Sequence, residues 1–342
     1  MNLFNRKFAE VLITCFVALC LTPSPSASAQ TASSTDTDYE SATKISNQLN
    51  SETVGIKFSE PQEHLWEFGV KVNSTGSGRL ITVSGPLPME WPEQEIEITR
   101  EDKTENVGAL KQKNATKHAR QFSFGVNRLG PGESATGILK VKVKKRFIIA
   151  PSDTSQYIAA KKVPTPLKTF LKPSPFIESK HKRIRDIAQS LEDDSLSSWD
   201  QVKKIYEWVR ANVEYKFDKK NYSCLHALDN KMGDCGELSA LFIAICRAQG
   251  IPARSVWIPG HTYPEFYLED KQGNGHWFPC QAAGDYQFGS MAEPKPILHK
   301  GDRFKIPGQR EEVRYLRPTL TAREGQGLSI EWIAREIANS TK

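Results

Sequence analysis

Residues 53–150 contain short runs in which hydrophobic and polar positions alternate. The runs are 66–72, 79–83, 95–98, 121–126 and 138–143. Because successive side chains of a β-strand point to opposite faces of a sheet, a period of two predicts strands with one buried face. Clusters of Gly, Pro and Asn separate the runs, as is typical of turns. The pattern predicts an all-β sandwich over 53–150. It contains no grouping of catalytic side chains, so we expect a supporting or substrate-docking role.

Proline marks the end of this region. The prolines of residues 151–176 are Pro151, Pro164, Pro166, Pro173 and Pro175. Because proline interrupts both helices and sheet ladders, we predict a linker here. A second domain, with a C-terminal extension, is predicted over 177–342.

Hydrophobic residues recur with helical spacing in three segments of this second domain. The first follows residue 180. The second begins at Ser198, with Gln201 three residues on, which is the spacing of a capping box. The third begins at Cys235, and Gly250 ends it because glycine readily adopts the left-handed conformation that closes a helix. The apolar face of this third helix consists of Leu238, Leu241, Phe242 and Ile245.

Three extended runs follow the third helix. They are 254–258, 265–269 and 276–279. A turn rich in Gly and Asn joins the last two as a hairpin. Helices followed by antiparallel strands predict an α+β domain. His276 and His299 belong to no motif, and we expect both at the surface.

The N-terminus has the three parts of a secretory signal peptide. Asn5-Arg6-Lys7 is positive, 11–21 is apolar, and Ala27-Ser28-Ala29 supplies a small-x-small cleavage site. We predict a signal peptide over 1–29, cleaved after Ala29, and therefore a secreted or periplasmic protein. The apolar run is too short for a lasting anchor, so we expect no stable membrane insertion. Residues 30–52 are rich in Ser, Thr, Asp and Gln, which predicts a disordered leader.

The composition is that of a soluble globular protein, with 38% of the 342 residues hydrophobic and 25% charged. A chain of this length favours two domains over one. The formal net charge of +6 is a mild excess and does not indicate a nucleic-acid partner. We interpret the densest basic run, 180–185, as a solvated helix start, with contact to an anionic polymer as the alternative.

Cys235 falls at the first turn of the third helix, where backbone N–H groups lack helical partners and the helix dipole is positive. This setting stabilises a thiolate and predicts a lowered thiol pKa. The same N–H groups are suited to receive an oxyanion. A cysteine nucleophile also needs a base, and His261 follows Pro259-Gly260 at the start of the next strand. A polar residue across the hairpin would then orient the imidazole.

These residues resemble the transglutaminase-like superfamily. Gly233-Asp234-Cys235-Gly236-Glu237 and the run 247–254 are similar to its cysteine block, and His261-Thr262-Tyr263-Pro264-Glu265 is similar to its histidine block. The upstream run 205–215 fits the helix-to-strand lead-in of the family. The resemblance covers about residues 180–290, and it is specific because two separated blocks agree in order and spacing. It implies a papain-like α+β core, preceded here by the sandwich.

The third block departs from the family pattern. The family usually has Trp-x-x-x-Asp, whereas the residue four positions after Trp277 is Gln281. Its amide oxygen accepts a hydrogen bond from an imidazole but has no charge to stabilise imidazolium. We assign Cys235, His261 and Gln281 as catalytic residues, and Asp285 replaces Gln281 only if the loop turns back. The missing charge leaves open a catalytically weak or inactive binding module of the cell envelope.

Six cysteines occur in the chain, of which Cys15 and Cys20 would leave with the signal peptide. The others are Cys224, Cys235, Cys246 and Cys280. An even number in an oxidising compartment suggests disulfides. A Cys224–Cys280 pair and free thiols both stay open. Cys246 lies about three turns along the helix from Cys235 and is predicted to be a buried hydrophobe.

A zinc site is the other alternative for these cysteines. Its ligands would be Cys224, His226, Cys235 and Cys280. Their spacings match no common zinc module, so we predict no metal and no cofactor. Asp234 is expected to shape the turn, since a carboxylate beside the nucleophile opposes thiolate formation.

The resemblance implies acyl transfer through a thioester on Cys235. The thiol would attack an amide or peptide carbonyl of a protein or peptide substrate, with His261 as base and then as acid. Water would complete a hydrolysis, and a primary amine would complete a transfer. Both reactions share every step up to the acyl-enzyme, so the sequence does not separate them.

Overall fold

A computed structural model describes residues 56–218, 220, 222–306 and 310–338. The predicted signal peptide over 1–29 and the predicted leader over 30–52 lie outside the described residues. Among the residues described, no helix has the length and apolar character needed to cross a membrane.

The elements fall into an N-terminal group of strands and a mixed group after residue 150. The first strands are β1 (Lys57–Phe58), β2 (Gln62–Leu87), β3 (Gln94–Lys103), β4 (Lys111–Thr116), β5 (Ala119–Leu129), β6 (Ser134–Lys145) and β7 (Ile148–Ile149). The helices are α1 (Lys182–Leu191), α2 (Ser198–Asn212), α3 (Cys224–Asn230) and α4 (Cys235–Ala248). The later strands are β8 (Glu214–Tyr215), β9 (Met232–Gly233), β10 (Ala253–Ile258), β11 (His261–Glu269), β12 (Gly275–Pro279), β13 (His299–Lys300), β14 (Phe304–Lys305), β15 (Glu312–Val313), β16 (Thr319–Thr321) and β17 (Glu324–Ile337).

Strand β2 organises the N-terminal sheet region. Its first half pairs with β6 and β17, and its second half pairs with β5 and β16. The predicted strands 66–72 and 79–83 are therefore parts of one strand of 26 residues. The small polar residues between them favour a turn locally, but pairing with β17 keeps most of them in an extended ladder.

The inward side chains of these strands form one apolar core. It includes Phe68, Val70, Ile81, Val83, Phe122, Leu139 and Val141. Trp332 of β17 stacks on Phe122 of β5 with ring centroids 6.2 Å apart, so residues paired with opposite halves of β2 pack together. Burying each large apolar side chain contributes about 1.5–3 kcal/mol. A large N-terminal sheet region ahead of a mixed helix and strand part confirms the predicted fold class.

Helix α4 is the centre of the second part. Every residue from Gly236 to Arg247 is buried, because α4 packs on β10 and β11 and contacts α1, α2 and α3. Its bounds, and the φ of 79° at Gly250, confirm the predicted third helix. Strands β11 and β12 pair antiparallel, which confirms the predicted hairpin.

Helix α2 begins at Ser198 as predicted, but its cap differs from the prediction. The side chain that caps it is Ser197, which accepts from the Asp200 N–H, and not Ser198. Gln201 does not complete a capping box. Its amide donates to the Leu191 carbonyl and to Gln249, because α1 and α4 offer these acceptors at close range.

One continuous sheet joins the two parts of the molecule. Strand β13 pairs with β10 on one side and with β5 on the other. Strands β16 and β17, near the other end of the chain, return to β2. The proline-rich stretch 151–176 contains two short 3₁₀ helices, Thr154–Gln156 and Thr165–Leu171, and buries Tyr157 and Phe170. The predicted domain boundaries stay predictions.

Candidate active site

Cys235 is the first residue of α4, and Asp234 caps the helix in front of it. The Asp234 carboxylate accepts from the N–H groups of Gly236 and Glu237 at 2.7 and 3.1 Å. The Glu237 carboxylate accepts in return from the Asp234 N–H at 2.8 Å, which completes a capping box. This confirms that Asp234 shapes the turn. A cap of this kind stabilises a helix by about 1 kcal/mol and fixes the direction of its first side chain.

His261 begins β11, directly after a tight turn from β10. The Ile258–His261 pair closes the hairpin, and Gly260 between them has a φ of 73°, which favours glycine. The next residue, Thr262, donates its N–H toward the Cys235 sulfur and accepts from Ser239 one turn along α4. The turn therefore holds the first residues of β11 against the first turn of α4.

Gln281 lies just beyond β12 and contacts the imidazole of His261. The His261 Nε2 atom is 3.0 Å from the Gln281 Oε1 atom. Because an amide oxygen only accepts hydrogen bonds, this contact requires the proton on Nε2. In the neutral imidazole Nδ1 is then unprotonated and able to accept a proton. The structure thus brings together two of the three assigned residues by a direct hydrogen bond.

The loop that carries Gln281 is fastened by Arg210 of α2. Arg210 donates to the carbonyl oxygens of Gln281 at 2.9 Å and Gly284 at 2.8 Å, and its guanidinium lies over the ring of Tyr286. Asp285 is exposed, and its carbonyl oxygen accepts from Arg210 at 3.5 Å. The loop turns Gln281 toward His261 while the Asp285 carboxylate stays at the surface. Sequence patterns did not single out Arg210, because its partners are carbonyl groups.

The thiol of Cys235 is mostly enclosed. Burial, followed by the charge of Asp234, raises the pKa of Cys235 to about 11. The N–H groups of Thr262 and Gly236 and the guanidinium of Arg314 oppose this rise. The lowered thiol pKa predicted from the helix N-terminus is therefore wrong. The helix start does favour a thiolate, but enclosure and the capping carboxylate outweigh it.

The imidazole of His261 is shifted in the opposite direction. Burial lowers the pKa of His261, while the hydrogen bond to Gln281 and the charge of Glu293 raise it. Both shifts favour uncharged groups, so the thiol and the imidazole are neutral near pH 7.

The surroundings of the thiol include one exposed aromatic segment. Strand β8 pairs with β9, which leads directly into Asp234, and Tyr215 lies opposite Gly233. The charges of Cys235 and Asp234, after burial, raise the pKa of the Tyr215 phenol, so its ring is near the thiol. Tyr215 is 52% exposed and Phe217 is 68% exposed. Tyr215 therefore presents an exposed aromatic ring close to the sulfur.

The other cysteines of the described ranges have separate environments. Cys224, Cys246 and Cys280 are buried free thiols, and the Cys224 thiol donates to the Glu178 carboxylate at 2.9 Å. The structure therefore shows no Cys224–Cys280 disulfide. No group of three or more His, Cys, Asp or Glu side chains in the described part is arranged to hold a metal ion.

The two histidines expected at the surface are not there. His299 is buried between Trp257 and Phe304, and burial lowers its pKa to about 3. His276 is half-buried and contacts the Asp270 carboxylate at 3.0 Å. His299 packs on Trp257 and the ring of His276 packs edge-on against Tyr157 at 5.6 Å, and both partners are distant in the sequence, so local pattern gave no signal for either burial.

Residues 185–282 match the model of the transglutaminase-like superfamily. They include Arg210, Cys235, His261 and Gln281, and they form a transglutaminase-like domain. A stretch of 107 residues is 29% identical to the uncharacterized protein YebA of Bacillus subtilis (strain 168). That stretch is 29% of this chain and only 14% of the length of YebA.

A solved structure shows the same fold. The crystal structure of a candidate cysteine protease from Cytophaga hutchinsonii aligns with a TM-score of 0.58 at 16% identity, over 84% of this chain and 95% of that one. At this identity the likeness establishes the fold and not the activity. The periplasmic domain of TgpA from Pseudomonas aeruginosa bound to ethylmercury aligns with a TM-score of 0.29 at 15% identity, over 60% of this chain and 90% of that one. A score this low does not establish a shared fold.

Proposed function

We propose that this protein is a thiol enzyme that cleaves or transfers amide or peptide bonds of protein substrates through a thioester on Cys235. The observation that carries the proposal is the hydrogen bond between His261 and Gln281. His261 begins the strand that is held against the first turn of α4, and Cys235 is the first residue of that helix. The hydrogen bond to Gln281 leaves Nδ1 of a neutral imidazole as a base. A nucleophile, a base and an orienting acceptor are the parts that covalent acyl transfer requires.

The reaction starts from the neutral pair. The Cys235 sulfur attacks the carbonyl carbon as its proton passes to His261 Nδ1, and the carbonyl π electrons move to the oxygen. The C–N bond then breaks, and the nitrogen takes the proton from His261 and leaves as an amine or ammonia. Water or a second amine attacks the thioester, His261 removes its proton, and the sulfur leaves and is protonated again. With water the products are a carboxylic acid and an amine.

The capping contacts restrict which backbone N–H groups at the start of α4 can donate to an oxyanion. The N–H groups of Gly236 and Glu237 donate to the Asp234 carboxylate, and the Leu238 N–H donates to the Asp234 carbonyl. The cap does not use the N–H of Cys235. We therefore assign the oxyanion to the Cys235 N–H, where the helix dipole adds to the hydrogen bond.

The test compares Cys235→Ala with Cys280→Ala, a matched change at a buried cysteine. We expect Cys235→Ala to lose at least about a thousandfold in kcat/KM on an unfolded protein substrate such as casein. Cys280→Ala should retain cleavage once folding is verified. Acid-quenched wild-type protein should carry an acyl group on Cys235, detectable by mass spectrometry. Retained activity in Cys235→Ala would contradict the proposal.

A labelled primary amine separates the two outcomes of the acyl-enzyme. Its incorporation into casein indicates transfer, and release of free carboxylate without incorporation indicates hydrolysis. We propose hydrolysis as the main outcome, because water is the more abundant nucleophile.

A catalytically weak binding module is the second candidate, and the uncharged Gln281 beside a neutral thiol favours it. Such a module would bind denatured protein with equal affinity in the wild type and in Cys235→Ala, and would form no acyl-enzyme. We also propose export to the periplasm or the cell exterior. N-terminal sequencing of protein recovered outside the cytoplasm should begin at Gln30, and a start at Met1 would contradict cleavage after Ala29.

A further inference from the structure

Arg314 lies outside the matched domain, yet its guanidinium reaches the first turn of α4. Its Nη2 atom donates to the carbonyl oxygen of Gly236, the residue that follows Cys235. A Cβ atom on Gly236 would come within 3.0 Å of the Asp234 carboxylate and 3.4 Å of Arg314 Nη1. The glycine therefore leaves room for the guanidinium to pack beside the turn that carries the thiol.

Packing, rather than an ion pair, holds Arg314 in place. The guanidinium carbon lies 5.3 Å from the ring centroid of Trp257, which in turn stacks on Tyr315 at 4.7 Å. The Trp257 indole donates to the Gly301 carbonyl at 2.8 Å. Among the described residues no carboxylate lies within ion-pair distance of Arg314, and its Nε has no hydrogen-bond partner.

A guanidinium that is 3% exposed and has no close carboxylate needs negative charge nearby. Burial lowers the pKa of Arg314, while the charges of Asp302, Asp234 and Cys235 raise it. Asp234 and Arg314 carry opposite charges and both hydrogen-bond to Gly236, the residue that follows Cys235. An uncompensated Asp234 would repel a thiolate.

We propose that Arg314 is a positioning residue of the Cys235 site, which offsets the charge of Asp234 and stabilises the Cys235 thiolate. The inference rests on the proposed function, in which that sulfur is the nucleophile. Arg314 acts through Cys235 and does not touch the reacting carbonyl. The segment after the matched domain therefore supplies part of the electrostatics of the site.

A double-mutant cycle between Arg314 and Asp234 tests this role. The full chain is alkylated with iodoacetamide between pH 7 and pH 10, and each cysteine is followed by peptide mass spectrometry. We expect Arg314→Met to slow alkylation of Cys235 about tenfold and Asp234→Asn, which keeps a capping side chain, to speed it about tenfold. The double variant should lie within about threefold of the wild type. Cys280, fully buried, reports any loosening of the fold in the same digest.

If Arg314 had only a structural role, the Arg314 and Asp234 variants would not change the alkylation rate of Cys235 in opposite directions, and the two changes would not cancel in the double variant. The proposal is overturned if folded Arg314→Met alkylates at the wild-type rate across this pH range. Arg314→Gln, which keeps a donor for the Gly236 carbonyl, replaces Arg314→Met if the latter fails to fold. If both fail, recovery of folding in the Asp234→Asn/Arg314→Gln variant supports charge compensation, and continued failure rejects it.

Alkylation needs no substrate, so the two proposals fail separately. A wild-type alkylation rate in folded Arg314→Met, in a protein whose cleavage depends on Cys235, rejects only the role of Arg314. Opposite changes in Arg314→Met and Asp234→Asn that cancel in the double variant, in a protein that forms no acyl-enzyme, reject only the proposed function.

Discussion

The N-terminal sheet region and the part built around α4 place their charged side chains differently. On β6, Lys142 and Lys144 alternate with buried valines and form ion pairs at the surface. Lys142, for example, lies 3.6 Å from Glu63 and 3.9 Å from Glu97, with 40% of its side chain exposed. The core beneath these lysines is apolar. Charge in this region keeps the sheet solvated and contributes little to its stability.

Several charged side chains of the α4 part are instead buried against partners of opposite charge. Arg247, in the last turn of α4, contacts both carboxylate oxygens of Asp302 at 2.9 and 2.7 Å. Glu265 of β11 lies 2.7 Å from both Arg254 and Lys300. Removing one member of such a pair leaves an unpaired charge inside the protein. In the α4 part, buried ion pairs therefore hold strands and loops in place relative to α4. The same strands and loops carry the residues of the candidate site.

The largest effect should follow from breaking the Arg247–Asp302 pair. Arg247→Met leaves Asp302 buried without its partner and also frees the carbonyl oxygens of Lys172 and Ala253. We expect the free energy of unfolding to fall by about 3–5 kcal/mol. Urea denaturation followed by tryptophan fluorescence measures it. A loss below about 1 kcal/mol would put this pair in the same class as the surface pairs of β6.

Acid should destabilise the α4 part through His299. Its folded pKa of about 3 lies below the unfolded value of 6.5, so the unfolded chain binds the extra proton first as pH falls. The stability that depends on the neutral form is complete above pH 6.5 and is lost progressively between pH 6.5 and pH 3. At pH 4.5 the loss from this group is about 3 kcal/mol.

His299→Gln should reduce the slope of urea midpoints measured from pH 7.5 to pH 4.5, and part of the remaining slope should come from His118, whose pKa burial lowers to about 4. His181→Gln, at the exposed start of α1, is the matched control and should keep the wild-type slope. An equal slope in His299→Gln and the wild type would show that burial of His299 does not drive acid unfolding.

Within the site, Gln281 tests whether a neutral contact orients the imidazole. Gln281→Ala should lower kcat/KM about 10- to 100-fold, because His261 loses the acceptor that fixes its tautomer. Gln281→Asp and Gln281→Glu should keep or raise activity. Their negative charge should raise the pKa of His261, which burial holds below 6.5, and so shift the acid limb of the pH–rate profile to higher pH. Asp285→Asn serves as the control with unchanged rates. Loss of activity in Asp285→Asn alone would assign the orienting role to Asp285.

The smallest effect is expected on β6. Lys142→Met removes two exposed ion pairs and should change the free energy of unfolding by less than about 1 kcal/mol. The change should shrink further in 0.5 M salt, since screening weakens exposed pairs. A decrease in the free energy of unfolding of more than about 2 kcal/mol that does not depend on salt would show that charges on β6 stabilise the protein as much as buried pairs do.

Sequence pattern was informative where structure depends on neighbours in the chain. The apolar spacing after Cys235, the Asp234 cap and Gly250 give the bounds of α4, because each acts within a few residues. The hairpin of β11 and β12 follows for the same reason. The contact of His261 with Gln281 was foreseen because the hairpin brings the two strand ends together.

Pattern was less informative where partners are far apart. The union of two predicted strands in β2 depends on β17, and burial of His299 depends on Trp257 and Phe304. Opposing effects determine the pKa of Cys235. The sequence reveals the helix start, which lowers this pKa, but not the burial of the thiol, which raises it. Arg314 follows neither a family block nor a periodic pattern, so only its position in space identifies it.

The return of β17 to β2 has a consequence for how the molecule is assembled. His64 and Glu336, which contact each other at the end of this ladder, are 272 residues apart in the chain. Closing so long a loop is slow, and it cannot begin before both strands have been synthesised. When Cys235, His261 and Gln281 have been synthesised, β17 has not, so the N-terminal sheet still lacks that strand. All three candidate site residues are therefore synthesised before the sheet that supports them can be completed.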